Sequence, residues 1–436
     1  MLSANPRFQG NIYIWPINRT VRTFRIFVVE PKEYCPELHK RIFNGAITSL
    51  LIPESDRIDP YSRFNEISSA DNFDLITFPE AFLPQDALLD ALRNIDRIES
   101  IGCVHVGIRP SESSEHHLFS VRQLKILLQS LHVITKIDKC DLNTFSEWLK
   151  KQNDSHHYNV GCVFTIDADH KIRVCLHPKI VRSKYEINTL NEKHMIEANL
   201  LTLVTLLPVD KNFLSITLQP LLCSDALHLD TDRPRCWPID CVNSDASCFV
   251  GSPPDHIDIV SISACTPQQY RVSDDNVGYH TWHSEFRNTC IRSVKELSRH
   301  YHSTFVLSNY QSTKSSDIWG LSGIFIPVPL PNMDFPNYIS LSSWGRFSDT
   351  DNRWSTPDDA NVASKGKSSL CYVANINSDE INGHSPAHML GFTLSRLIRD
   401  MTRLQPNHNI IDVQLYGVTD ELKSNEYHFK KQDGSQ

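Results

Sequence analysis

FDLITFPEAFLP, residues 73–84, decides how this chain folds. Its first half is a short apolar run, Leu75-Ile76-Thr77-Phe78, closed by Pro79. A run of that length with a β-branched residue and a proline stop reads as a buried strand over Asn72–Phe78. Glu80 stands just past its end. Pro84 then opens PQDALLDALRNI (Pro84–Ile95), a helix with proline in its first turn. The unit is strand, acid, helix.

Working outward, the same alternation continues. FRIFVVE (Phe24–Glu30), IGCVHVGI (Ile101–Ile108), NVGCVFTID (Asn159–Asp167) and KIRVCLH (Lys171–His177) read as strands. So do ITLQPLLCS (Ile216–Ser224), HIDIVSISA (His256–Ala264), TFVLSN (Thr304–Asn309), SGIFIPV (Ser322–Val328) and IIDVQLYG (Ile410–Gly417). Leu124, Leu127, Leu128 and Leu131 mark one helix face, and Trp282, Phe286 and Cys290 fall at helical spacing. A further amphipathic helix is predicted after Ser385-Pro386, striped by Leu390, Leu394, Leu397, Ile398 and Met401. Continuous and alternating apolar strands with intervening helices predict an α/β protein, helices covering a mixed sheet or sheet pair. Residues 1–23 read as an irregular arm, 24–330 as the main domain and 331–436 as a C-terminal extension. Within that extension, residues 331–366 read as loop and the tail from Ser424 as disordered.

Composition sets bounds. The chain has 436 residues, 40% of them hydrophobic and 22% charged, with net charge −8. That is ordinary globular usage, with ample apolar mass to offset chain entropy. A mildly acidic chain gives no signal for nucleic acid, whose phosphates need a basic face. The most apolar stretch, LLTLVTLLPV (200–209), is too short to span a bilayer. MLSANPRFQG carries neither a basic segment nor an apolar one, so a cytoplasmic chain is expected. Twelve cysteines without a CxxC pair read as free thiols rather than a zinc ribbon or disulfide scaffold.

Three strand ends deliver reactive side chains: Glu80, then Lys179 in KIRVCLHPK, then Cys223 in LQPLLCSD. Ligands collect at strand ends in α/β proteins. A thiol near its reference pKa of about 8.5 is only a few per cent thiolate at pH 7. A neighbouring carboxylate can take its proton, and an ammonium can favour the thiolate and then hold an oxyanion. Each residue alone also fits a bland role: a helix-entry acid, a solvated lysine, a buried structural thiol.

The order and wording of these stretches resemble the carbon–nitrogen hydrolase (nitrilase-like amidase) superfamily. FDLITFPEAFLP is similar to the glutamate signature, IDADHKIRVCLHPK (166–179) to the lysine signature and PLLCSDALHL (220–229) to the nucleophile signature. Asp225, two residues after Cys223, matches amidase-type members. HIDIVSISACTP, Trp282, FVLSN ending at Asn309, and Ser322 in WGLSGIFIP resemble later family elements. The resemblance implies a four-layer αββα fold and a thioester mechanism: Cys223 attacks, Glu80 is general base, and Lys179 with the backbone N–H of Ser224 holds the oxyanion. It implies a second glutamate, for which Glu186 is the candidate, no metal or organic cofactor, a small-molecule amide or nitrile substrate, and a homo-oligomer. Departures from the pattern are His170 in place of glycine, one extra residue before Lys179, Ser224 in place of an aromatic, and long stretches at 109–157 and 230–255. Those stretches are candidate partner surfaces. The same architecture also serves an N-acyltransferase or a non-catalytic module of a larger assembly.

Other signals are weaker. SKGKSS (Ser364–Ser369) lacks the first glycine of a phosphate loop, Asn361 standing in its place. HTWH (His280–His283) and HYH (His300–His302) have no metal-ligand spacing. Cys236, Cys241 and Cys248 read as loop thiols.

Overall fold

The computed structural model of the chain describes residues 8–18, 23–31, 34–51, 72–95, 102–111, 117–183, 195–210, 215–226, 238–239, 242, 248–249, 252–266, 269–271, 279–281, 289–290, 293, 298–300, 303–310, 312–313, 316–319, 322–328, 337–342, 387–394, 410–416 and 425–430. Glu186, Trp282, Phe286, Cys236, Cys241 and Ser364–Ser369 lie outside the described residues.

The chain begins with strands β1 (Gln9–Ile17) and β2 (Thr23–Pro31), helix α1 (Pro36–Leu51), and strands β3 (Asn72–Thr77) and β4 (Leu83–Pro84). Helix α2 (Gln85–Arg93) leads to β5 (Cys103–Arg109) and the short β6 (Phe119–Ser120). Helices α3 (Val121–Val133) and α4 (Cys140–Lys150) follow, then β7 (His157–Tyr158), β8 (Val160–Ile166) and β9 (Ile172–Pro178). Next come β10 (Leu200–Pro208), β11 (Ile216–Leu222), β12 (Ile259–Ser263), β13 (Gln269–Arg271) and β14 (Tyr279–Thr281). The remaining strands are β15 (Thr304–Ser308), β16 (Ser312–Thr313), β17 (Ser316–Trp319), β18 (Gly323–Val328), β19 (Asn337–Ser342), β20 (Ala387–Leu394), β21 (Ile410–Tyr416) and β22 (Asn425–Lys430).

Two sheets carry the structure, so the chain is a mixed α/β protein. A seven-stranded sheet runs β1-β10-β11-β12-β15-β18-β19. A nine-stranded sheet runs β22-β21-β20-β2-β3-β5-β8-β9, with β4 paired to β5. They pack face to face, β11 against β8, β12 against β3 and β5, β15 against β2 and β3, and β10 against β9. Strand alternation sorts the side chains. Thr77, His105 and His177 face the seven-stranded sheet, whereas Ile76, Val104, Val106, Phe164 and Val174 lie on the opposite face and are buried there. Helices α1, α2 and α4 contact β4, β5 and β9 of this sheet. Helix α3 buries Val121, Leu124, Leu127, Leu128 and Leu131. Ser120 starts it: its hydroxyl accepts the Gln123 N–H, and its own N–H donates to Gln123 Oε1.

Several expectations change. Residues 9–17 are not an irregular arm but a strand, parallel to β10, with Tyr13, Trp15 and Ile17 buried in alternation. The helix expected after Ser385-Pro386 is, over Ala387–Leu394, a strand paired antiparallel with β2. Leu390 and Leu394 are four apart, a spacing that a strand also satisfies when Phe392 lies between them. Across the ladder these three stand opposite Val28, Phe24 and Ile26, respectively Leu390, Leu394 and Phe392. Residues 337–342 and 425–430, expected as loop and disordered tail, are strands that extend the two sheets. The 109–157 stretch holds a second helix, α4, tied down by Arg173, which donates to Asp141 and Asp138.

The β8–β9 turn explains one departure from the family pattern. Asp167 accepts the N–H groups of Asp169 and Lys171 on its side chain, and Asp167 N–H donates to Lys171 O. This closure puts His170 at φ 56°, the left-handed region where glycine is most at ease. A left-handed residue costs about 1–2 kcal/mol, and glycine's extra chain entropy returns about 0.5–1 of that. His170→Gly is therefore expected to raise unfolding free energy by about 0.5 kcal/mol, measured by urea denaturation.

Candidate active site

Glu80 sits on a turn suspended between the two sheets. Its N–H donates to Ala264 O at the end of β12, and its carbonyl accepts the Tyr310 hydroxyl at 3.1 Å. On either side, Phe82 N–H donates to Gly107 O, and Gly107 N–H donates to Pro79 O. The turn lies directly on β5. A Cβ at Gly107 would come within 2.5 Å of Glu80 Cα and 2.6 Å of Ala81 N. Ala81 itself is left-handed, at φ 52°. Glycine at 107 is thus a requirement of close backbone approach.

Glu80 and Lys179, 99 residues apart, are in contact: Lys179 Nζ donates to Glu80 Oε1 at 2.7 Å. The pair is out of solvent, with 4% and 1% of the residues exposed. Asn159 Nδ2 donates to the same oxygen at 2.7 Å, and Asn159 O accepts the Lys179 N–H at 2.8 Å. Asn159 therefore grips both partners. It stands just before β8, where a fully buried polar residue at a strand entry was its only signal.

Cys223 lies at the end of β11, where the strand breaks into a one-turn 3₁₀ segment, Cys223–Ala226. Its φ is 45°, a conformation costly for any residue with a Cβ. The turn is anchored to the Lys179 segment. Asp225 Oδ1 accepts the N–H groups of Ile180 and Val181 at 3.0 and 2.8 Å, and Ser224 Oγ donates to Val181 O at 2.5 Å. Asp225 Oδ2 accepts Leu222 N–H at 3.3 Å. The structure thus joins Glu80 directly to Lys179, and the Cys223 turn to the residues that follow Lys179.

The late residues support this end of the sandwich. Asn309 Oδ1 accepts the N–H groups of Thr266 and Tyr310, and Asn309 N–H donates to Ser322 Oγ. Ser322 N–H in turn donates to Glu30 Oε2 at 3.0 Å, tying β18 to β2. His300, buried, contacts Gln219 Oε1 through Nε2 at 2.7 Å. Among the described residues no group of three or more His, Cys, Asp or Glu is arranged to hold a metal ion. No helix among them is long and apolar enough to cross a membrane.

No protein-family model matches the chain, and no curated protein matches it. Among solved structures it is similar to a glutamine-dependent NAD+ synthetase from Acinetobacter baumannii in complex with ADP, at 13% identity and TM-score 0.34. That match covers 70% of this chain and 41% of the synthetase. A glutamine-dependent NAD(+) synthetase from Cytophaga hutchinsonii is similar at 9% identity and TM-score 0.33, covering 70% and 39%. The chain spans about two fifths of the length of these enzymes. At such scores the likeness is faint.

Two outcomes are expected. Gly107→Ala pushes the Glu80 turn off β5 and lowers unfolding free energy by about 1–3 kcal/mol, the range for overpacking, read by urea denaturation. Asp225 gives a pH signature. Burial pushes its carboxyl up to about 7, against the backbone donors and the Lys179 ammonium. The folded chain then holds a proton that the unfolded chain has released above pH about 4. Stability from Asp225 is full below that value and is lost as pH rises toward 7. Asp225→Asn should remove this slope, so that the difference in Tm between variant and wild type moves in the variant's favour from pH 4 to pH 7.

Proposed function

We propose that the chain is a thiol-dependent hydrolase of non-peptide C–N bonds in an amide, carbamoyl or nitrile group, acting through a Cys223 thioester. The observation that carries this reading is the buried Glu80–Lys179 contact, with the Cys223 turn hydrogen-bonded to the backbone just after Lys179. In this reading the catalytic domain is the expected 24–330 together with β1 and β19–β22, which share its two sheets, and those sheets are the inner layers of a four-layer αββα sandwich.

The steps follow from charge and position. Glu80 takes the thiol proton as Sγ attacks the substrate carbon. With an amide or carbamoyl carbonyl, the resulting oxyanion is held by the Lys179 ammonium and the Ser224 N–H. The C–N bond breaks, and the leaving amine or ammonia takes the proton from Glu80. Water, deprotonated by Glu80, then attacks the thioester; the C–S bond breaks, the acid departs, and the Cys223 thiolate takes the proton back from Glu80. Oriented donors matter here because a preorganised charge needs no rearrangement as the barrier is crossed. Asn159 and Lys179 converge on one oxygen of Glu80 and so fix the carboxylate's orientation. Glu186, a second carboxylate in the same reading, belongs to the stretch after Lys179. The amide class is favoured by the Cys223-Ser224-Asp225 wording, and a cytoplasmic homo-oligomer is the matching assembly.

The thiols provide the test. Burial pushes Cys103, Cys162, Cys175 and Cys290 up, so they are poor nucleophiles, whereas Cys140 is exposed. With substoichiometric iodoacetamide at pH 7, intact-mass and peptide mapping should show Cys223 alkylated before all others, Cys140 included. Glu80→Gln should slow that labelling by about 10²–10⁴, the usual worth of a positioned base. An amide or ester library should leave an acyl adduct on Cys223 and none on Cys223→Ser at the same position. Labelling of Cys140 as fast as Cys223 would overturn the reading.

A further inference from the structure

Beneath the Glu80–Lys179 pair, between the sheets, lies a row of buried polar groups that no step above uses. His105 Nε2 and His177 Nε2 are 3.1 Å apart. His105 Nδ1 is 2.8 Å from Ser261 Oγ, and Ser261 Oγ is 2.8 Å from Thr77 Oγ1. Ser263 Oγ approaches His105 Nε2 at 3.5 Å. All five residues are buried, none more than 2% exposed. The sequence makes room for the contact. Gly161 of β8 is paired with His177 on β9 and with Gly107 on β5, two residues along from His105 on the same face. A Cβ at Gly161 would sit 2.3 Å from His177 Nε2, so only glycine lets the ring cross β8 to reach His105.

The row is one coupled unit. Two imidazole nitrogens in hydrogen-bond contact need one N–H and one lone pair. If His177 donates, His105 carries its proton on Nδ1 and donates to Ser261, which donates to Thr77. If His105 donates to His177, Ser261 donates to His105 Nδ1 and Thr77 donates to Ser261. In the second state every proton is fixed, whereas in the first Ser261, with two lone pairs, can also accept from Thr77. Buried chains of this kind strengthen one another and penalise any broken link.

Its ends lie at the site. Thr77 is three residues before Glu80, and His177 is two residues before Lys179. Ser261 and Ser263 lead to Ala264, whose carbonyl takes the Glu80 N–H. His105 is two residues before Gly107, which brackets the Glu80 turn. The two strands that lead into Glu80 and Lys179, β3 and β9, are therefore joined by this row through β5 and β12.

We propose that His105 and His177 are positioning residues: their shared hydrogen bond, extended through Ser261 to Thr77, sets the spacing of β3, β5, β9 and β12 at which Glu80 meets Lys179, and thereby tunes the readiness of Cys223. The proposal rests on the thiol-hydrolase reading. It predicts that cutting the row changes when Cys223 reacts, not merely how stable the fold is.

The experiment is the rate of Cys223 alkylation against pH in the full chain, beside thermal unfolding. His177→Leu keeps the bulk and removes the bond. Its reactivity midpoint should rise by about one pH unit, a tenfold slower labelling on the acid limb. His177→Gln, whose amide can occupy the Nε2 position, should restore most of that rate. Ser261→Ala cuts the row at the other sheet by losing one hydroxyl, and should shift the midpoint the same way. Folded His177→Leu and Ser261→Ala with lowered Tm but an unmoved midpoint would make the row structural only and overturn the proposal. If His177→Leu fails to fold, Ser261→Ala decides alone. If wild-type Cys223 shows no selective labelling at any pH, the hydrolase reading fails first and this proposal falls with it. Selective labelling that ignores both variants sinks only the proposal.

Discussion

A carboxylate and an ammonium have been taken out of water together at the heart of this molecule. Each such ion loses several kcal/mol of hydration even after the protein relaxes around it, and a single contact seldom repays that in full. Glu80 and Lys179 meet at 2.7 Å, and Asn159 adds a second donor to the same oxygen. Deleting either charge would strand the other, a loss of about 3–5 kcal/mol. A hydrophobic pair in the same space would serve stability as well or better. In the proposed reading the pair acts on the Cys223 thiol, since a fixed charge in a dry site acts with little screening.

Holding that pair is a problem of three segments far apart in sequence. The nine-stranded sheet supplies both charges, Glu80 from beyond β3 and Lys179 from beyond β9, with β5 and β8 between. Two glycines paired in register, Gly107 and Gly161, make the spacing work. One lets the Glu80 backbone lie on β5, and the other lets the His177 ring cross β8. The seven-stranded sheet then fixes height, because Glu80 N–H bonds to Ala264 O at its strand end. A slide of one sheet over the other would move Glu80 relative to Lys179.

Much of this was legible in the residues, and the rest was hidden for identifiable reasons. Glu80, Lys179 and Cys223 could be picked out because each follows a short apolar run with a sharp stop. The Glu80–Lys179 contact and the bonds from the Cys223 turn to the residues after Lys179 could not, since periodicity describes one element at a time. Leu390 and Leu394 illustrate the ambiguity: spacing of four fits a helix face and, with Phe392 between, a strand face. Only pairing with β2, more than 350 residues earlier, decides for the strand. Tyr13, Trp15 and Ile17 did alternate, but β1 is a strand only because β10 lies parallel beside it. Asn159 and the His105–His177 contact belong to no spacing motif. They acquire meaning from register, which pairs Gly161 with His177 and leaves His105 two residues along β5 from Gly161's partner Gly107, on the same face. His170 was visible as an oddity, and its left-handed backbone gives the reason glycine would suit that turn.

The Cys223 turn shows why an acid belongs two residues after the thiol. With Cys223 at φ 45°, the chain reverses sharply from β11 and directs Asp225 back toward β9. There its Oδ1 takes the two N–H groups that follow Lys179, and Ser224 closes the same gap by bonding to Val181 O. Four residues thus hold together two segments that begin more than forty positions apart. The strain of the left-handed thiol is balanced by bonds that its own turn makes possible. The thiol-bearing turn and the lysine-bearing segment are therefore one hydrogen-bonded unit. In the proposed reading a thiol held this way does not have to find its ammonium when a substrate arrives, which is the entropic advantage that positioned groups have over free ones.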